Sequence, residues 1–314
     1  MTEPVEVTLS PFHLFTQSPF HLAAFSSSNP EFLMQLPFPL QKRIHSVTNL
    51  IAVASGKGGV GKTTIAVNLA LALQQQGAKV GLYDADLYGP NVPLMLGIRR
   101  KKSAASIHPS GMIPTARVNN APYIPPIARY GLQIMSVGLL MATDDAVMPD
   151  PRMAGHIIRQ TLQDVMWGNL DFLLLDLPPG TGEPQQTLLE AFQLDGVVLV
   201  TTPQDLSLMD AGRSLKFFQQ FKAPILGVVE NMSYLMCPHC GEQIEVFQRS
   251  PGESFLQQQN VELLGRIPMH IEISRGISAG HPLMEDASDA THAQAFQQIA
   301  QKIMQKCTGQ NDGK

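Results

Sequence analysis

The eight residues Gly56-Lys57-Gly58-Gly59-Val60-Gly61-Lys62-Thr63 match G-x-x-x-x-G-K-[ST], a spacing suited to holding a nucleoside triphosphate. Glycines lacking Cβ let backbone N–H groups wrap phosphate oxygens, Lys62 reaches the β and γ oxygens, and Thr63 offers a hydroxyl to Mg²⁺. Thr64 carries the loop into the following helix and is counted with the nucleotide-binding residues. A competing reading exists, because Gly56, Gly58 and Gly61 also spell G-x-G-x-x-G and Asp84 stands at the spacing of a ribose-binding acid. A dinucleotide turn, however, gives no reason for Lys57, Lys62 and Thr63 to crowd a pyrophosphate. The run 171–176 is a buried-strand pattern ending in Asp176, where a P-loop enzyme needs an acid near Mg²⁺. ATP with Mg²⁺ is therefore expected. Alone, Asp176 would read as a capping or turn carboxylate.

A second group with chemistry is Cys237-Pro238-His239-Cys240, followed by Gly241. Two thiolates at this spacing converge on one metal or form a redox pair, but the spacing does not name the metal, and zinc is the commoner occupant. A tetrahedral zinc or a four-iron cluster usually takes four ligands, so two must come from elsewhere. Cys307, close to an end expected to be mobile, is a poor third. Histidines such as His239 would complete a zinc knuckle, whereas a two-fold dimer would supply Cys237 and Cys240 twice.

These residues need a scaffold. From residue 50 onward, short β-rich runs at 51–54, 80–84, 132–137, 172–176, 197–201 and 225–229 alternate with helical patterns. The alternation predicts an α/β fold, a doubly wound and mainly parallel sheet with helices on both faces. Residues 1–45, broken by prolines and a serine run, read as an extended or weakly ordered arm, and 98–130 as a long insertion beside the active face. Ala293, Phe296, Ile299, Ala300, Ile303 and Met304 fall at helical spacing, so the domain is expected over 46–307 with a polar tail at 308–314.

Composition sets bounds. Across 314 residues, 44% are hydrophobic and 15% charged, which excludes wholesale disorder, and a net charge of −4 argues against a strongly cationic nucleic-acid binder. The basic run Arg99-Arg100-Lys101-Lys102 reads as a solvated loop rather than a DNA patch. No run approaches the length of a membrane span and the start lacks a secretory signal, so a cytoplasmic protein is expected. Three cysteines are too few for a disulfide scaffold.

Residues 50 to about 285 resemble the Mrp/ApbC group of iron–sulfur cluster carrier ATPases, within the class that includes MinD, ParA and the nitrogenase iron protein. The resemblance is carried by 54–64, by Asp84-Ala85-Asp86-Leu87-Tyr88-Gly89-Pro90-Asn91-Val92-Pro93, by 175–183, by Glu230-Asn231-Met232-Ser233 and by the cysteine pair. It implies that Lys57 crosses a nucleotide-sandwich homodimer to touch the partner's phosphates. Asp86 would orient the attacking water with Asp84 in support, Asn231 would read the adenine edge, and Gly180 and Gly182 would let the loop after Asp176 sense the γ-phosphate. It also implies a [4Fe-4S] cluster held by Cys237 and Cys240 across the dimer, received from donors and delivered to apo-proteins under ATP control. Many bacterial members carry a folded N-terminal domain for which 49 residues leave little room. Two alternatives stay open: a MinD- or ParA-type positioning ATPase, which has no use for the cysteines, and a P-loop ATPase with a structural zinc knuckle.

Overall fold

The computed structural model describes residues 5–7, 41–100, 116–118, 121–140, 149–204, 208–237, 239–247, 256–270, 273, 276, 279–286 and 291–311. In chain order the first half comprises β1 (Val5–Val7), β2 (Val47–Ser55), α1 (Lys62–Gln75), β3 (Val80–Asp84), α2 (Val92–Met95), β4 (Ile98–Arg100), β5 (Ala116–Val118), β6 (Ala121–Tyr123), β7 (Ile127–Arg129) and β8 (Leu132–Ser136). Then come α3 (Pro151–Asp164), β9 (Leu170–Asp176), α4 (Glu183–Ala191), β10 (Gly196–Thr201), α5 (Leu208–Gln220), β11 (Ile225–Glu230), β12 (Leu235–Met236), β13 (Gln243–Ile244), β14 (Leu263–Arg266), α6 (Leu283–Asp286) and α7 (Thr291–Asn311).

Eight strands form one sheet in the order β14-β11-β10-β2-β9-β3-β8-β7, parallel throughout except for β7, which runs antiparallel to β8 at the edge. All six strand positions expected from the sequence are in it, and the doubly wound architecture is as expected. The six inner strands are buried on both faces, which explains their apolar runs. Along β2 the two-residue period divides the core: Ile51 and Val53 face the side covered by α1 and α7, while Leu50, Ala52 and Ala54 face the side of α3, α4 and α5.

Helix α1 is buried from Lys62 through Leu73, so it lacks the polar face of a surface helix. It lies between the sheet and α7, whose Phe296, Ile299 and Ile303 are each at most 1% exposed. Each such side chain contributes about 1.5–3 kcal/mol by burial. The buried face of α7 continues to Cys307, which is 2% exposed. The helix runs to Asn311, so Thr308 belongs to it rather than to a polar tail, its hydroxyl donating to the Met304 and Gln305 carbonyls. The expectation that Cys307 sits near a mobile end is thereby corrected: helical period puts it on the stripe that faces the core.

The 98–130 segment is not wholly an insertion, because Ile127–Arg129 completes the sheet edge and Ala116–Val118 pairs with Ala121–Tyr123 in a hairpin. Within the N-terminal arm, Val5–Val7 pairs in parallel with Ile98–Arg100. The rest of the arm up to residue 40, the side chains of the basic run at 99–102, and residues 312–314 lie outside the described residues.

Candidate functional site

Three adjacent strands deliver the site to the carboxyl edge of the sheet. Strand β2 runs into the phosphate loop, β3 ends at Asp84 and β9 ends at Asp176, and ladder register sets Asp84 directly beside Asp176. The loop turns through left-handed glycines, Gly59 and Gly61, both at φ 81°. Gly61 is the N-cap of α1 and gives no side-chain hydrogen bond, so the first-turn N–H groups are left for an anion.

Lys62 and Asp176 form an ion pair of 2.6 Å at 6% and 0% exposure. The second oxygen of Asp176, Oδ2, is buried with no hydrogen-bond partner among the described residues. Burial raises the Asp176 carboxyl above the usual range, against the pull of Lys62 and Thr63. A buried carboxylate oxygen lacking a donor, next to a buried Thr63 hydroxyl and a lysine, fits the coordination sphere of a hard cation and its waters.

Asp84 is fully buried. Its Oδ2 accepts from the Ser136 hydroxyl at 2.9 Å and the Val92 N–H at 3.3 Å, and its Oδ1 from the Asp86 N–H at 3.1 Å. Burial, with neighbouring Asp176 second, pushes its carboxyl up to about 8. Asp84 is 0% exposed and already accepts three hydrogen bonds, which disfavours a ribose-binding role and with it the dinucleotide reading. It shapes the turn that carries half-buried Asp86, whose Oδ1 accepts the Gly89 N–H at 3.2 Å.

Lys57 lies on the exposed outer arc of the loop. Its carbonyl accepts from the Ser55 hydroxyl at 2.9 Å, and the Ser55 carbonyl accepts the Gly180 N–H at 3.0 Å. Gln185 ties the same post-β9 loop down by donating to the Pro178 carbonyl. Asn231 lies beneath the loop rather than in open solvent, 5% exposed, its Nδ2 donating to the Val60 carbonyl at 2.8 Å. Sequence reasoning gave no role to Ser55, Ser136 or Gln185. Ser136 alone left a usable signal, as a polar residue at the carboxyl end of a strand next to β3.

The cysteines sit apart, on a small antiparallel hairpin in which Leu235 pairs with Ile244 and Met236 with Gln243. The turn closes through Cys237 N–H to the Glu242 carbonyl and Gly241 N–H to the Cys237 carbonyl, each 2.9 Å, with Gly241 at φ 72°. Cys237 is half-buried and Cys240 exposed. Backbone N–H groups of Cys240 and then His239 lower the Cys237 thiol below its ordinary range, as a metal ligand or nucleophile requires. Among the described residues, no three His, Cys, Asp or Glu side chains converge on a metal position.

A parallel sheet carrying a glycine loop, a buried Lys62–Asp176 pair and a second acid on the adjacent strand define a P-loop nucleoside triphosphatase. A family model described as NUBPL iron-transfer P-loop NTPase, of the ParA group, matches residues 46–304. The chain belongs to that family. It is 41% identical over 84% of its length to the iron-sulfur cluster carrier protein of Haemophilus influenzae, covering 68% of that protein. It is 39% identical to the protein of the same name from Pyrococcus abyssi, over 82% of this chain and 85% of the relative. Among solved structures it is similar to a nucleotide-binding protein from Archaeoglobus fulgidus in complex with ADP, with TM-score 0.65 and 31% identity over 81% of this chain and 93% of that one. The MinD cell division ATPase of Pyrococcus furiosus shares the fold at TM-score 0.57 and 27% identity, over 82% and 99% of the two chains. Among the described residues no helix is long and apolar enough to cross a membrane.

Proposed function

We propose that the chain is an ATP-hydrolysing carrier that binds an iron–sulfur cluster on Cys237 and Cys240 and passes it to apo-proteins. The observation that carries this reading is one chain holding both a phosphate loop with its buried Lys62–Asp176 pair and a thiol pair at the surface, Cys240 exposed and the Cys237 thiol lowered by backbone N–H groups. The relatives named iron-sulfur cluster carrier proteins support it. A positioning ATPase accounts for the phosphate site and leaves the cysteines without a use.

In this reading Lys62 swings from Asp176 to the phosphates, and Thr63 and Asp176 would hold Mg²⁺, which neutralises phosphate charge when bound. Asp86 orients the attacking water, and Asp84 keeps its turn in place. Exposed Lys57 reaches the phosphates of a second copy, as an arginine finger does. The Asn231 amide oxygen accepts from the adenine amine while its nitrogen stays on Val60. Gly180, whose N–H rests on Ser55, moves when a γ-phosphate draws the loop in.

Each chain offers two thiolates, and a two-fold homodimer offers four, the number a [4Fe-4S] cargo requires. Residues 46–307 would form the working unit, active in the reducing cytoplasm where thiols survive, with cluster donors and apo-acceptors as partners. The test is anaerobic transfer: loaded chain mixed with an apo-ferredoxin and an iron chelator should load the acceptor, at a rate that ATP with Mg²⁺ alters. An acceptor that stays empty while the chain keeps its cluster contradicts the carrier reading.

A further inference from the structure

Asn231 does more than border the nucleotide. Its side-chain nitrogen holds the Val60 carbonyl at 2.8 Å, and a Cβ placed on Gly61 would stand 2.2 Å from that nitrogen, so amide and loop meet in direct contact. Its own N–H donates to the Thr201 carbonyl at 2.7 Å. Met232 follows at φ 55°, a left-handed conformation that costs a non-glycine residue some backbone strain.

From there the chain runs without slack towards the cysteines. Ser233 N–H donates to the Ile267 carbonyl at 2.9 Å and its hydroxyl to the Glu230 carboxylate. The Tyr234 carbonyl accepts the Met269 N–H at 2.7 Å, and Leu235 bridges to Met269. Leu235–Met236 is β12, and Cys237 comes next. Every residue from 231 to 235 except Met232 is thus tied to a neighbour, and the span from the loop's latch to the first thiol is six residues.

We propose that Asn231 is a positioning residue that couples the two sites: its amide bond to Val60 transmits a shift of the phosphate loop on nucleotide binding, through residues 232–236, to Cys237 and Cys240. The inference rests on the nucleotide and thiol roles given above. By reciprocity, whatever factor the nucleotide imposes on the thiol site is imposed on nucleotide affinity by its occupant.

The test uses the full, metal-free chain and iodoacetamide, with modification of each cysteine counted by mass spectrometry. Saturating ATP with Mg²⁺ should change the alkylation rate of Cys237 and Cys240 by about fivefold or more. Asn231→Asp keeps the shape but removes the N–H that holds Val60; with nucleotide again saturating, the ratio should fall to about one. Met232→Gly keeps the Asn231 side chain, relieves the left-handed strain and loosens the strut, so the ratio should shrink with nucleotide again saturating. A full nucleotide effect in Asn231→Asp, or none in the wild-type chain with ATP bound, overturns the coupling. Because the readout is thiol alkylation without iron, either result leaves the carrier reading to its own transfer test.

Discussion

Lys62 and Asp176 are 6% and 0% exposed and 2.6 Å apart, whereas Cys240 is exposed and Cys237 half-buried on a hairpin whose strands are two residues long. The phosphate site is assembled by three central strands and buried against α1, so its geometry is a property of the core. The thiol site is held by a few backbone hydrogen bonds, and among the described residues no group of three metal-ligating side chains forms around it. The first brings the phosphate loop, Lys62 and Asp176 together within one chain. On the proposed reading the second takes its occupant from outside the chain, which suits a cargo that must arrive and leave.

The comparison breaks most sharply at the cysteines. Cys237→Ala and Cys240→Ala should each abolish cluster binding on anaerobic reconstitution, read by visible absorption, while keeping ATP-dependent thermal stabilisation. Cys307→Ala should keep the cluster, because burial pushes that thiol up to about 11 and holds it in the core. Equal loss in all three variants would dissolve the distinction between the two regions.

Lys62→Ala should act in the opposite sense, sparing cluster uptake. It should remove the stabilisation that ATP confers, about 2.7 kcal/mol at a hundredfold excess over Kd. It also leaves Asp176 buried without its cation, which costs about 3–5 kcal/mol. Urea titrations with and without nucleotide separate the two contributions. Asp86→Ala should bind ATP normally and turn over about 100-fold slower. Unchanged turnover would remove Asp86 from its role.

A separate effect is a pH dependence confined to the buried site. The unfolded Asp84 carboxyl titrates near about 3.9, while in the folded chain burial lifts it to about 8. Between those values the native state holds a proton that the unfolded state releases, so the associated stability is full below about pH 4 and is lost as pH rises through about 8. Melting temperatures of the metal-free chain from pH 5 to 9 should therefore fall more steeply for the wild type than for Asp84→Asn. Equal slopes would show that Asp84 does not titrate in this range.

The phosphate site was largely legible in the sequence because its chemistry is local. Eight contiguous residues specify the loop, and Asp84 and Asp176 each close a short apolar run of the kind that buried strands show. What escaped were relations between distant residues: Ser136 holding Asp84, Gln185 holding Pro178, Asn231 reaching across 171 residues to Val60. No periodicity encodes a hydrogen bond across strands. Ile127–Arg129 and Leu263–Arg266 escaped because three or four residues are too few to show alternation. The misplacement of Cys307 has a plainer cause, since its polar neighbours concealed that it continues the Phe296–Ile303 stripe.

The central claim is that one chain carries half of a metal site beside a nucleotide-binding loop of its own. Anaerobic reconstitution with iron and sulfide, followed by metal analysis and light-scattering mass on the same sample, measures this directly. The account predicts about one four-iron cluster per two chains, in a dimer that returns to monomer when the iron is chelated. A monomer holding a full cluster, or a chain that takes up zinc tightly and iron not at all, would contradict it.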